Sequence, residues 1–276
     1  MDDLWFKKIC DSYRDGHGTH NGTSMPKFPS DQIQINTTGQ CGEGTLKEAF
    51  VFYQDCINQF SKLGRPIRAD DSLLDFGVGW GRIARFFIKD FSLEKIYGID
   101  VTDEFIKICR ETFNSDNFYT TTPFPPSPEI GVKFNYIVGY SVFSHLSEKA
   151  CYEWMKEFHK ITAPGAVLAL TTRGRPFFDY CKGLQATNPT GYSLSLSKMF
   201  DNFDEAKSRY DKGEFVFSNA DGVTGGGAMT PEFYGETFIP KKYAASAYTE
   251  FFELVEFDYD ESRQSHPIMF FKRKDA

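Results

Sequence analysis

The sequence predicts an α/β fold: a doubly wound sheet of about seven strands, mostly parallel with an antiparallel last strand, with an N-terminal arm and a cap insert. Three observations lead there. From residue 72 onward, short apolar runs alternate with stretches of helical periodicity, the pattern of a parallel sheet covered on both faces. The first of these runs, in "LLDFGVGWGRIARFF" (73–87), is followed by three glycines on alternate positions. The second, "KIYGIDV" (95–101), closes on a carboxylate, Asp100.

The elements follow in order. Residues 11–45 are rich in Gly, His, Asn, Thr and Ser and poor in aliphatics, and read as an irregular arm. In 46–64, Leu46, Phe50, Tyr53, Ile57 and Phe60 recur at helical spacing with Gly64 past the end, which predicts a helix. Strands are expected at 72–76, 95–101, 117–121, 134–142 and 166–172, and helices at 81–90, 103–114 and 148–161. Ile106, Cys109 and Phe113 share one face of the second of these helices, and Pro164-Gly165 ends the third. The rhythm breaks over 174–240, where a helix at 198–211, a strand at 214–218 and a flexible "ADGVTGGGAM" (220–229) read as an inserted cap. A helix near 241–250 and strands at 251–259 and 268–274 complete the pattern, the last two as an antiparallel pair. The boundaries are therefore an arm or lid at 1–45, a core at 46–175, a cap at 176–240 and a return to the core sheet at 241–276.

Composition bounds the function. The chain has 276 residues, 41% hydrophobic with 29 Phe, enough for a full core. A net charge of −7 repels phosphate backbones, so nucleic acid is not an expected partner. The start "MDDLWFKKIC" lacks the apolar segment of a signal peptide, and no run of about 18 apolar residues predicts membrane insertion. Six cysteines without a C-x-x-C pair read as reduced thiols, which suits a cytoplasmic location. His17 and His20 have no nearby acidic partner, so no metal is expected. Oligomeric state is not legible.

Glycine costs about 0.5–1 kcal/mol relative to alanine inside a regular element, so Gly77, Gly79 and Gly81 need a reason. They lie at the carboxyl end of the first strand, where doubly wound sheets bind ligands. There they let a ligand approach bare main chain, and a following helix aims free N–H groups at it. Asp100, 19 residues after Gly81, stands where an acid accepts both ribose hydroxyls. Together they point to a nucleoside-containing cofactor. The spacing is G-x-G-x-G, and Arg82 occupies the position where a nicotinamide site has its third glycine.

At Asp75-Phe76-Gly77-Val78-Gly79-Trp80-Gly81 and Asp100 in "YGIDV" the chain resembles the class I S-adenosylmethionine-dependent methyltransferases. "FPPSPEIGVKFNYIVGYSVFSHLSEKACYEWMKEFHKITAPGAVLALTTRG" (124–174) extends the resemblance to a bacterial subgroup with an "SVFSHL"-type loop. Two departures are "APGA" for the usual "PGG" and "TTT" for the acid that usually ends strand three. The resemblance implies a Rossmann-like fold and S-adenosyl-L-methionine as cofactor. It implies that Asp75 organises the turn, that Gly77, Val78, Gly79 and Gly81 pack along the methionine part, and that Asp100 binds the ribose diol. Val101 and Thr120 or Thr121 would flank the adenine. Tyr140 and Ser141 would sit by the sulfonium. Gln40 or Thr45 would close over the donor, the arm becoming ordered on binding. Arg82 pairs with the donor carboxylate or with Asp75, or forms a surface salt bridge.

The acceptor side is more open. His145 is either a base for a hydroxyl substrate or a histidine that fixes its loop. Arg173 and Arg175 either clamp an anionic acceptor or face solvent. The cap mixes aromatic and hydroxyl side chains, Tyr192 and Tyr234 among them, which suits a small molecule or glycan better than a lipid. The expected reaction is methyl transfer to a hydroxyl. The alternatives are N-methylation, a nicotinamide-dependent oxidoreductase, or a non-catalytic nucleoside-binding protein on the same fold.

Overall fold

The computed structural model describes residues 2–274. The chain divides into two compact units, Met1–Thr121 with Pro128–Tyr140 and Ser262–Ser265, and Thr122–Ser127 with Ser141–Glu261 and His266–Ala276.

In the first unit the chain runs α1 (Asp2–Asp15), a short hairpin β1 (Thr19–His20) and β2 (Thr23–Ser24), α2 (Asp31–Thr38), α3 (Glu43–Lys62), β3 (Leu73–Phe76), α4 (Ala84–Phe87), β4 (Ile96–Asp100), α5 (Asp103–Phe113), β5 (Phe118–Thr120) and β6 (Phe134–Gly139). α3 follows from its pattern: Leu46, Ala49, Phe50, Tyr53, Cys56 and Phe60 are all buried on one stripe. α5 buries Ile106, Cys109 and Phe113 and ends on Asn114 in the left-handed region at φ 50°. The strands pair in parallel, with β3 between β6 and β4, so that Asp75 stands opposite Gly98 on one side and Val138 on the other. β3 is thus the strand from which the windings diverge, and ligands of doubly wound sheets collect at its carboxyl end.

Two expectations are corrected in this unit. Residues 11–45 are not irregular throughout, because they carry the end of α1, all of α2 and the start of α3. Trp5, Ile9 and Cys10 of α1 are buried, and Trp5 Nε1 donates to Phe86 O at 3.1 Å. α2 is held by polar means that an apolar periodicity does not reveal: buried Gln34 donates to Pro29 O and accepts from Gly42 N, both at 3.1 Å. The helix expected over 81–90 shrinks to Ala84–Phe87. Residues 83–88 are buried on every side, so tertiary packing and not an amphipathic stripe shapes the segment.

In the second unit the chain runs α6 (Glu148–Ile161), β7 (Thr162–Thr171), α7 (Pro176–Leu184), α8 (Gly191–Ser197), α9 (Phe203–Lys212), β8 (Val216–Ser218), β9 (Glu236–Phe238), α10 (Lys241–Ala247), β10 (Phe252–Asp258) and β11 (Ile268–Arg273). Ser147 caps α6, its hydroxyl accepting from Ala150 N at 3.4 Å. Asn202 caps α9, accepting from Asp204 N and Glu205 N, and Gly213 closes that helix at φ 92°. The 174–240 segment is richer in helix than its sequence suggests. It builds a cluster of its own from Phe178, Cys181, Leu196, Met199, Val216 and Phe238, with the rings of Phe178 and Phe238 stacked 3.9 Å apart. β11 pairs antiparallel with β10 and with β7. The main sheet has seven strands in the order β10-β11-β7-β6-β3-β4-β5, mostly parallel with the antiparallel element at one end, as the sequence predicts.

Candidate active site

Gly77, Gly79 and Gly81 all adopt positive φ, at 70°, 51° and 80°, where a β-carbon is disfavoured. Their surroundings differ. A Cβ on Gly79 would meet no atom within 4 Å, whereas one on Gly81 would lie 2.4 Å from the Phe113 ring. Gly81 therefore serves close packing against α5, and Gly79 leaves the main chain open. The turn is tied to β4 by Gly77 N and Val78 N, which donate to Ile99 O at 2.8 and 3.0 Å.

Two buried carboxylates organise the turn. Asp75 accepts from Ala84 N at 3.0 Å, and Asp100 accepts from Gly79 N and Thr102 N, each at 2.9 Å. Of the turn's N–H groups these side chains take those of Gly79 and Ala84. Burial pushes Asp75 up to about 7, against the Ala84 N–H, and the nearby Asp100 charge pushes the same way. Burial also raises Asp100, against its backbone donors.

The N-terminal segment meets the turn through polar side chains. Trp80 Nε1 donates to Thr37 Oγ1 at 3.1 Å. Arg82 donates to Thr45 O and Thr45 Oγ1 at 3.1 Å and to Glu48 at 2.6 Å. Of the partners the sequence left open for Arg82, the structure gives a different one, Glu48. Burial raises the Glu48 carboxyl, but Arg82 overcomes it and holds the group at about 2. Tyr140 lies under the Arg82 guanidinium, 5.1 Å from ring to charge, and shares a hydrogen bond with Glu48. Gln40 is exposed, and its carbonyl accepts from Thr38 Oγ1 at 2.9 Å. Val101, partly buried, follows Asp100 at the strand end. The Thr120 hydroxyl donates to Asp103, while Thr121 Oγ1 is buried without a hydrogen-bond partner.

In the second unit the residues after β6 form another polar cluster. Ser141 takes positive φ at 59°, and its N–H donates to Thr171 Oγ1 at 2.7 Å. Its hydroxyl lies 3.4 Å from His145 Nε2. His145 is buried, stacks on Tyr234 at 4.8 Å and 3°, and its Nδ1 lies 2.8 Å from Gly235 O and 3.2 Å from Glu236. Arg173 Nε donates to Glu236 at 2.6 Å, and the Tyr192 hydroxyl donates to the same carboxylate. Arg175 stands apart, half exposed and paired with Asp211 at 2.7 Å. Burial raises Glu236, but its interactions with His145 and Arg173 outweigh it and hold the group far below the usual carboxylate range.

Sequence reasoning missed Glu48 and Glu236. Glu48 lies three residues after Thr45 on α3, so a helical-face argument would have found it. Glu236 has no such signal, since its partners lie 44, 63 and 91 positions away along the chain.

Residues 74–168 match the family model described as "Methyltransferase domain". This stretch, about a third of the chain, is thus similar to a methyltransferase domain. Over 96 residues the chain is 29% identical to a "Probable fatty acid methyltransferase" of Pseudomonas putida, a match that takes in 32% of this chain and 24% of that protein. The chain thus spans about a quarter of the length of that relative. Its fold is similar to a S-adenosylmethionine-dependent methyltransferase from Clostridium acetobutylicum, with TM-score 0.51, 11% identity, and 83% of this chain and 92% of that chain covered. A protein of Pyrococcus horikoshii gives TM-score 0.50 at 13% identity over 80% of this chain and 91% of its own. The resemblance of the sequence implies S-adenosylmethionine as the cofactor. The first unit fits it: the open main chain at Gly79, the Asp100 carboxylate and the unpartnered Thr121 hydroxyl are the kinds of group a nucleoside with a polar tail engages. Among the described residues no helix is long and apolar enough to cross a membrane, and no cluster could hold a metal ion.

Proposed function

We propose that the chain transfers a methyl group to a hydroxyl of a small molecule or glycan, with His145 as general base. One observation carries the reading. Both acceptors near His145 Nδ1, Gly235 O and Glu236, require that nitrogen to hold the ring proton, so in the neutral ring Nε2 bears the lone pair. Nε2 already faces a hydroxyl, that of Ser141. A hydroxyl nucleophile needs such a base, whereas a neutral amine does not.

Bound S-adenosylmethionine supplies an activated methyl group on a positively charged sulfur. The chain's own residues bind and orient. In this reading Gly77, Val78 and Gly79 line the methionine part through main chain while Gly81 packs against α5, Asp100 accepts the ribose hydroxyls, and Val101 with Thr120 or Thr121 borders the adenine. Asp75 and Arg82 hold the turn, with Thr45 bonded to Arg82, and Tyr140 completes the donor side. Tyr192 and Tyr234 belong to the acceptor side. Arg173 is engaged by Glu236 and Arg175 by Asp211, which favours an uncharged acceptor over an anion.

Turnover of methyl-labelled S-adenosylmethionine with a panel of sugars, phenols and amines tests this. His145→Ala should lower turnover of a hydroxyl acceptor by roughly 10²–10⁴-fold while donor affinity holds. Transfer to amines alone, or a variant that also loses donor binding, would overturn the assignment of His145.

A further inference from the structure

Glu236 is wholly buried and joins three side chains from separate stretches of chain. Its Oε1 lies 3.2 Å from His145 Nδ1 and accepts from the Tyr192 hydroxyl, and its Oε2 accepts from Arg173 Nε at 2.6 Å. The backbone brings the two partners together. Gly235 N donates to His145 O and Thr237 N to Ser144 O, both at 2.8 Å, while Thr237 Oγ1 donates to Leu146 O at 2.6 Å. Arg173 N donates to Thr237 O at 3.1 Å. Gly235 itself is seated so closely that a Cβ would lie 2.1 Å from Ser218 O. The 144–147 loop, the 233–237 segment and the residues after β7 are thus fixed as one piece.

We propose, resting on the reading of His145 as base, that Glu236 is the positioning residue for proton transfer. Arg173 and Tyr192 keep its carboxylate ionised and aimed, and so belong to the same device. An arginine–glutamate pair alone would be structural. Here the carboxylate also reaches the proton-bearing nitrogen of a histidine whose other nitrogen faces a hydroxyl, and that is an orienting arrangement.

The step balances. The proton of the acceptor hydroxyl moves to His145 Nε2, giving an imidazolium beside the Glu236 carboxylate. The acceptor oxygen forms its bond to the methyl carbon as the carbon–sulfur bond of the donor breaks and its electron pair stays on sulfur. The proton then leaves His145 for solvent. Glu236 favours the imidazolium without itself taking the proton. The titratable groups coupled to the Glu236 carboxylate are His145, Arg173, Tyr192 and, from α7, Cys181.

The test needs no acceptor. Long-range proton–nitrogen NMR of the full chain labelled at histidine, with His145 assigned by the His145→Ala spectrum, reads tautomer and titration directly. In the wild type the neutral ring should carry its proton on Nδ1. In Glu236→Gln the proton affinity of His145 should fall at least tenfold. A wild-type ring protonated on Nε2, or an unchanged affinity in a folded Glu236→Gln, overturns the proposal. A wild-type ring protonated on Nε2 would overturn the proposal even where the variant fails to fold. Failure of the base reading is separately visible, as full turnover of a hydroxyl acceptor by His145→Ala.

Discussion

Replacing Asp75 by Asn should make the protein more resistant to unfolding at pH 8 but not at pH 4. Asp75 is 1% exposed in the middle of the parallel strands, and its carboxyl is raised from 3.8 to about 7 by burial. A carboxyl whose folded value exceeds its unfolded value contributes stability that is complete below the unfolded value and is lost as pH rises through the folded one. The window is therefore roughly pH 4 to 8, with the charged form penalised at its upper end. About three pH units at about 1.36 kcal/mol each set a ceiling of about 4 kcal/mol, which relaxation and solvent entry lower. Asn keeps a carbonyl to accept from Ala84 N and cannot ionise. Most other titrating groups are common to both proteins and cancel in the difference. The assay is denaturant unfolding of both proteins, without cofactor, at half-unit steps from pH 4 to 8. The stability difference should move in favour of the variant by about 1–4 kcal/mol, or ~2–4 °C per kcal/mol in Tm for a chain of this size. A difference that stays flat across that range would refute the assignment of a raised carboxyl at this position.

Two glycine substitutions separate binding from packing. Gly79→Val, where the Cβ meets open space at φ 51°, should abolish S-adenosylhomocysteine binding while the protein stays folded; wild-type affinity in calorimetry would make the turn structural only. Gly81→Ala, whose Cβ would lie 2.4 Å from Phe113, should cost about 1–3 kcal/mol of stability, read as a lower unfolding midpoint; an unchanged midpoint would show that α5 gives way freely.

Much of the first unit was legible because its signals are local. The apolar run, the glycines and Asp100 lie within 28 consecutive residues, 73–100, and the structure joins them directly through the Gly79 N–H and the Asp100 carboxylate. Helices that bury one stripe, α3 and α5, were readable for the same reason. α2 was not, because its anchor is the Gln34 amide and not an apolar face. The segment 81–90 misled because burial on all sides erases the periodicity that normally reports a helix. On the acceptor side, His145, Arg173, Tyr192 and Tyr234 could each be named from sequence as residues of interest. What joins them is Glu236, whose significance appears only when chain segments far apart in sequence meet. That meeting also changes how Arg173 reads, from a clamp awaiting an anion to the partner of a buried carboxylate.

The central claim is that S-adenosylmethionine is held at the Gly77–Gly81 turn with Asp100 on its ribose, and calorimetric titration with S-adenosylhomocysteine tests it most directly. The wild type should bind at one site per chain and give no heat with NAD. Asp100→Ala, checked to be folded by its Tm, should bind about 5–150-fold more weakly, the equivalent of about 1–3 kcal/mol for hydroxyls left without a partner. Saturable NAD binding, or equal S-adenosylhomocysteine affinity in wild type and Asp100→Ala, would contradict it.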